Sequence, residues 1–181
     1  FTVLIAGGSR GARTINNAMI DVHKHFQGTK GIKLIHITGD GEYKSVLSQL
    51  GITDGNGLGD SSVILPYLHD MPKALAAADL AVFRSGAIGL AELAVRGIPS
   101  VLVPYPYAAE DHQTYNARIF VQEGAAHMIV DQMLSAHDLI GEIEMFMANR
   151  DLLSQMGERA LQLGKPNAAH DIAKLALSIA K

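Results

Sequence analysis

At 181 residues and 48% hydrophobic content, the chain can bury one substantial core and is too short for two α/β domains of common size. A formal net charge of −3 and a pI near 6.2 lack the clustered Lys and Arg that dominate nucleic-acid binding, so any nucleotide is expected as a small ligand. The absence of cysteine excludes a disulfide scaffold and thiolate zinc sites and fits a reducing compartment, with the cytoplasm as default.

Apolar, β-branched runs at Thr2 to Ala6, Lys33 to Thr38, Ser62 to Leu65, Leu80 to Phe83, Ser100 to Val103 and Ala126 to Val130 read as strands. Segments of helical period at 12–26, 43–50, 71–78, 89–96 and 113–123 separate them. This alternation predicts an α/β, Rossmann-like, three-layer α/β/α unit around a parallel sheet of about six strands. Beyond the last strand the period stays helical over Ala136 to Asn149, Leu152 to Leu163 and Asn167 to Ala180, with Gly164-Lys165-Pro166 as a break. The Gly-, Asp- and Asn-rich stretch from Gly51 to Gly59 reads as a surface excursion. No apolar run reaches the roughly 18–20 residues of a membrane span. The abrupt entry into a strand at Phe1 suggests a piece of a longer protein.

Three turns fall where a strand gives way to a helix. Gly7-Gly8-Ser9-Arg10-Gly11-Ala12 follows the first strand; glycines permit a tight turn there, and helix N-terminal amides plus the helix dipole attract a phosphate or diphosphate. The spacing is neither the dinucleotide G-x-G-x-x-G nor the P-loop G-K-[ST]. A plain βα turn with Ser9 as N-cap is the structural alternative. The same residues satisfy G-x-S-x-G, the hydrolase nucleophile elbow, which would need Asp131 or Asp138 and then His170 downstream.

The second turn, Phe83-Arg84-Ser85-Gly86-Ala87-Ile88-Gly89, leads into a helix carrying Glu92. At the carboxyl edge of an open α/β sheet such a turn meets ligands. Glu92 either accepts the hydroxyls of a ribose or complements the helix dipole, an effect of about 0.3–1 kcal/mol; spacing does not separate the two. The third segment, Pro104 to Asn116, offers His112, Gln113 and Asn116 at a polar helix start. His23 and His25 point to different helix faces and make a poor metal pair, and His36 reads as a satisfied strand histidine. The motifs for divalent cations and paired glycosidase carboxylates are missing. Met145, Phe146 and Met147 read as helix packing.

Taken in register, the Gly7 to Ala12 turn, Tyr67-Leu68-His69-Asp70-Met71, Arg84-Ser85-Gly86-Ala87 with Glu92, and His112-Gln113 with Asn116 resemble the C-terminal domain of MurG-like glycosyltransferases along nearly the whole chain. The resemblance implies the C-terminal half of a GT-B enzyme, with a UDP-sugar-binding domain over 1–165 and a helix over 166–181 packing toward an N-terminal domain. It implies an inverting transferase that binds UDP-N-acetylglucosamine and converts lipid I to lipid II, without cofactor or metal, at the cytoplasmic face of the inner membrane. A UDP-N-acetylglucosamine 2-epimerase shares the two-domain plan.

By position, Ser9, Arg10 and Gly11 would hold the diphosphate and the Leu68 backbone the uracil. Ser85, Gly86, Ala87 and Ile88 would line the nucleotide, Glu92 would meet the ribose, and Gln113 with His112 the sugar. Gly89 stands where the family often has Thr, and Arg10 where Gln is common. The lipid-linked acceptor and the general base would belong to the N-terminal domain, so this chain is expected to bind donor without turnover and to hold no catalytic residue of its own.

Overall fold

A computed structural model describes residues 1–8 and 11–180. Strands β1 Thr2–Ala6, β2 Lys33–Ile37, β3 Ser62–Leu65, β4 Leu80–Phe83, β5 Ser100–Leu102 and β6 Ala126–Met128 form one sheet in the order β3-β2-β1-β4-β5-β6. Every pairing is parallel, so each connection must cross over, and helices make the crossings. These are α1 Arg13–Phe26, α2 Asp40–Leu50, α3 Met71–Ala77, α4 Ala87–Arg96 and α5 His112–Gln122, followed by α6 Ala136–Ala148, α7 Arg150–Leu163 and α8 Ala168–Ile179. The expected Rossmann-like architecture is present.

Alternation along the strands feeds two cores. Val3, Ile5, Leu80, Val82 and Val101 meet Ile15, Met19 and Val22 of α1, Leu139, Ile143 and Phe146 of α6, and Met156 of α7. Leu4, Ala6, Ala81, Phe83 and Leu102 meet Leu75 of α3, Leu90 and Leu93 of α4, and Phe120 of α5 on the other face. Each fully buried Leu, Ile or Phe stabilises the fold by about 1.5–3 kcal/mol.

Strand order reverses between β1 and β4. The chain moves outward from β1 through β2 to β3, then returns to β4 on the other side. Ala6 pairs with Phe83 and with Ile37, so β1, β2 and β4 end level with one another. Their following turns therefore open at one height around a switch point, where open α/β sheets bind ligands.

Two expectations shift. Helix α2 begins at Asp40, three residues before the predicted 43, because Asp40 and Glu42 form a dipole-favoured first turn that carries no apolar period. The stretch from Gly51 to Gly59 is no free excursion. Leu58 is buried with Ile20, Val46, Leu47 and Ile64, and the Gly55 carbonyl accepts the Ile64 N–H at 2.8 Å. A Cβ at Gly55 would lie 1.8 Å from the Ile64 carbonyl oxygen, so only glycine allows this approach. The loop thus covers the open edge of β3, which would otherwise invite strand pairing.

Helix α8 is different in kind. All its residues are exposed, and Ile172, Leu175 and Ile179 form an apolar stripe at helical spacing. Among the described residues no helix is long and apolar enough to cross a membrane.

Candidate functional site

The turn from β1 to α1 is shaped by one close backbone approach. Gly11 has φ +74°, and a Cβ there would sit 2.0 Å from the Thr38 carbonyl oxygen at the end of β2. Its N–H donates to the Gly8 carbonyl at 2.9 Å. Gly11 therefore contributes shape, while the donors at this turn come from the first amides of α1, which have no carbonyl one turn earlier. The N-cap is Ala12, without a side-chain cap bond, which replaces the expected Ser9 cap. Ser9 and Arg10, expected on the diphosphate, lie outside the described residues.

The turn from β4 to α4 presents a second set of amides. Gly86 is the N-cap, and its carbonyl accepts the Leu90 N–H at 3.0 Å, leaving the amides of Ala87, Ile88 and Gly89 without intrahelical partners. Ala87 and Ile88 are exposed. Ser85 is fully buried; its hydroxyl donates to the Gln113 carbonyl at 2.7 Å and its carbonyl accepts Asn116 Nδ2 at 3.1 Å. It supports the turn from beneath instead of lining the surface.

Glu92 is the sixth residue of α4, half-buried, with no hydrogen bond or ion pair to a described residue. Dipole stabilisation fades within the first turn, so this position weakens the dipole reading. A Cβ at Gly89 would stand 3.4 Å from the Phe83 ring, space enough for a small side chain.

Arg84 ties the neighbouring loops together. Its Nη1 donates to the carbonyls of Val103 and Pro104 and to Asp131 Oδ1, and its guanidinium lies 5.6 Å from the centre of the Tyr105 ring. Asp131 also accepts the Thr14 hydroxyl at 3.1 Å. One ion pair, each side chain about a tenth exposed, thus joins the ends of β4, β5 and β6 to the start of α1. Asp131→Asn is expected to cost about 1.5–3 kcal/mol of unfolding free energy, the range for a hydrogen bond to a charged group. An unchanged urea midpoint would remove this role.

The third segment meets the same edge through fixed side chains. Gln113 Oε1 accepts the Tyr105 N–H at 3.0 Å, which leaves the Gln113 NH2 as a donor with no partner among the described residues. His112 Nδ1 bonds the Ala109 carbonyl at 2.8 Å; a carbonyl only accepts, so Nδ1 carries a proton, and in the neutral ring Nε2 is the acceptor. Glu110 and Asp111 before them have φ of 52° and 53°, a left-handed conformation costly for non-glycine residues. On the far side, Leu68 packs its side chain against the second core, and no described residue hydrogen-bonds its main chain.

The hydrolase alternative loses its downstream partners. Asp131 is held by Arg84 and Thr14, Asp138 binds the Ser135 hydroxyl at 2.6 Å, and His170 stands exposed on α8. A cleft of about 330 Å³ between Ala78, Arg96, Pro99 and Arg150 lies at the opposite, amino edge of the sheet.

Sequence reasoning missed Thr14, Asn16, Thr38 and the Arg84–Asp131 pair. Asn16 and His23 did carry a signal. They are polar, two helical turns apart, on the face that buries Ile15, Met19 and Val22. His23 is buried and His25 exposed against Glu144, as their different helix faces predict. His36 is buried with both ring nitrogens bonded.

The pattern that describes the glycosyltransferase family 28 C-terminal domain matches residues 2–175. The UDP-N-acetylglucosamine–N-acetylmuramyl-(pentapeptide) pyrophosphoryl-undecaprenol N-acetylglucosamine transferase of Desulforamulus reducens is 41% identical over 96% of this chain and 47% of its own length. The protein of the same name from Desulfitobacterium hafniense is 42% identical over 99% of this chain and 48% of its own. The chain spans about half the length of these curated relatives. The crystal structure of Acinetobacter baumannii MurG superposes with a TM-score of 0.79 at 28% identity, covering 99% of this chain and 52% of that one.

Proposed function

The chain belongs to the glycosyltransferase family 28 C-terminal domains, and from that premise we propose that it is the donor-binding half of a transferase that adds N-acetylglucosamine to lipid I to give lipid II. The observation that carries this reading is the meeting, at one switch point, of Glu92, which has no partner among the described residues, with two sets of helix-start amides that lack intrahelical partners. The amides of α1 and α4 receive the diphosphate, with Ser9, Arg10 and the shape imposed by Gly11 beside them. Gly86, Ala87 and Ile88 line the nucleotide, over the buried Ser85. Leu68 offers its main chain to the uracil, and Glu92 accepts the ribose hydroxyls. Gln113 donates to, and His112 accepts from, hydroxyls of the sugar.

The other half of the protein supplies the general base and binds the polyprenyl-diphosphate acceptor at the cytoplasmic face of the inner membrane. The stripe of α8 packs toward that half. Electrostatic stabilisation of the leaving UDP by fixed amides needs neither metal nor cofactor. The epimerase alternative is not favoured, because relatives near 40% identity carry the transferase name.

Calorimetric titration tests the reading. UDP should saturate the chain and ADP should bind much more weakly; no heat with UDP, or equal affinity for ADP, would overturn it. Sugar transfer by these 181 residues alone would contradict the division of labour. Glu92→Ala should weaken UDP about tenfold, the loss of a charge-assisted hydrogen bond. It should leave 2′,3′-dideoxy-UDP almost unchanged, and equal losses would restore the dipole role.

A further inference from the structure

Behind the Gly11 turn runs a buried file of polar side chains that the proposed chemistry does not touch. His23 Nδ1 lies 2.9 Å from Ser62 Oγ, and His23 Nε2 lies 3.1 Å from His36 Nδ1. His36 Nε2 lies 3.0 Å from Asn16 Oδ1, and Asn16 Nδ2 donates to the Thr38 carbonyl at 2.9 Å. Every member from Ser62 to Thr38 is at most 1% exposed. Ring nitrogens leave two tautomers open, but one end of the file is fixed, because a main-chain carbonyl can only accept.

The rest follows link by link. Asn16 gives its NH2 to Thr38, so its Oδ1 must accept from His36 Nε2–H. Neutral His36 then accepts at Nδ1 from His23 Nε2–H, and neutral His23 accepts at Nδ1 from the Ser62 hydroxyl. All four bonds donate in one direction; a proton added to His36 would place two N–H groups face to face, and one added to His23 would turn its Nδ1 from acceptor to donor against the Ser62 hydroxyl. Burial lowers the pKa of His23 to about 4 and that of His36 well below its usual range, which keeps both rings neutral. The file ends on the carbonyl oxygen against which Gly11 is packed.

We propose that Asn16, His36 and His23 are positioning residues for the diphosphate: they hold the Thr38 carbonyl in place and through it the Gly11 turn. This rests on reading that turn as the diphosphate site. Breaking the file should therefore weaken UDP while sparing uridine, which has no phosphate. A role in stability alone would not separate the two ligands.

The test uses the 181-residue chain with UDP and uridine titrated separately, at a temperature where each variant is folded. Asn16→Ala should lower UDP affinity by about tenfold and uridine affinity by less than about twofold. His36→Leu should behave likewise. His36→Gln, whose amide still donates toward Asn16, should recover most of the UDP affinity. In the unaltered chain, nitrogen-15 chemical shifts should place the proton of both rings on Nε2.

Parallel losses of UDP and uridine, unchanged UDP affinity in a folded Asn16→Ala, or an Nδ1 proton on either ring would overturn the proposal. If Asn16→Ala does not fold, the two His36 variants decide, and equal UDP affinities overturn it. An unaltered chain that binds no UDP refutes the site reading and this proposal together. One that binds UDP with the file irrelevant refutes only the latter.

Discussion

Gly11→Ala is expected to reduce UDP affinity by about a hundredfold or more, equivalent to about 2.7 kcal/mol. The added Cβ would fall 2.0 Å from the Thr38 carbonyl oxygen, and neither side can yield cheaply. Thr38 is pinned through its own N–H to the Leu65 carbonyl at 2.9 Å and through its carbonyl to Asn16. Gly11 itself holds φ +74°, which costs an L-residue about 1–2 kcal/mol before any contact is counted. The turn must open, carrying the start of α1 away from the Gly86 turn. Gly41→Ala is the control. A Cβ there meets nothing within 4 Å, and in the first turn of α2 it should stabilise by up to about 1 kcal/mol. Calorimetry and urea melts of the two variants check both expectations, and UDP binding retained by Gly11→Ala would sink the first.

Acid should destabilise the chain progressively as pH falls below about 6.5. An unfolded histidine takes up a proton near pH 6.5, whereas folded His23 does so only at about 4. Between those values the unfolded state binds more protons, so falling pH favours it. The contribution is whole above pH 6.5 and is lost at about 1.4 kcal/mol per pH unit per histidine, roughly 3 kcal/mol for His23 by pH 4. His36, also lowered by burial and by the neighbouring His23, acts in the same direction. His127 opposes them weakly. Its hydrogen bond to Glu142 raises its pKa, so its stabilisation is complete below pH 6.5 and fades as pH rises through the raised value; exposure to solvent keeps it small. Urea midpoints at pH 7 and pH 5 check the balance. Equal midpoints would mean that the buried histidines do not govern acid stability.

The fold was legible because a parallel sheet buried on both faces writes continuous apolar runs, and all four residues of β4 are buried. Boundaries slipped where helix starts are set by charge, as at Asp40, or where a loop is held by a single main-chain contact, as at Gly55. In the site, the turns at Gly11 and Gly86 were visible because glycine at a strand-to-helix junction has a local cause. Ser85 could not be seen to be buried, since its partner Gln113 is 28 residues away. The Arg84–Asp131 pair spans 47 residues and leaves no periodic trace. The nucleotide's base and sugar were never written in period or spacing, and came from resemblance.

The bare stripe of α8 has an entropic consequence. A 12-residue helix with no side chain in the core must rely on its intrinsic propensity, and isolated helices of that length are marginal in water. Much of its order is then gained only on contact with another surface. In the proposed packing of α8 toward the other half, the free energy of that ordering is subtracted from the contact the stripe makes.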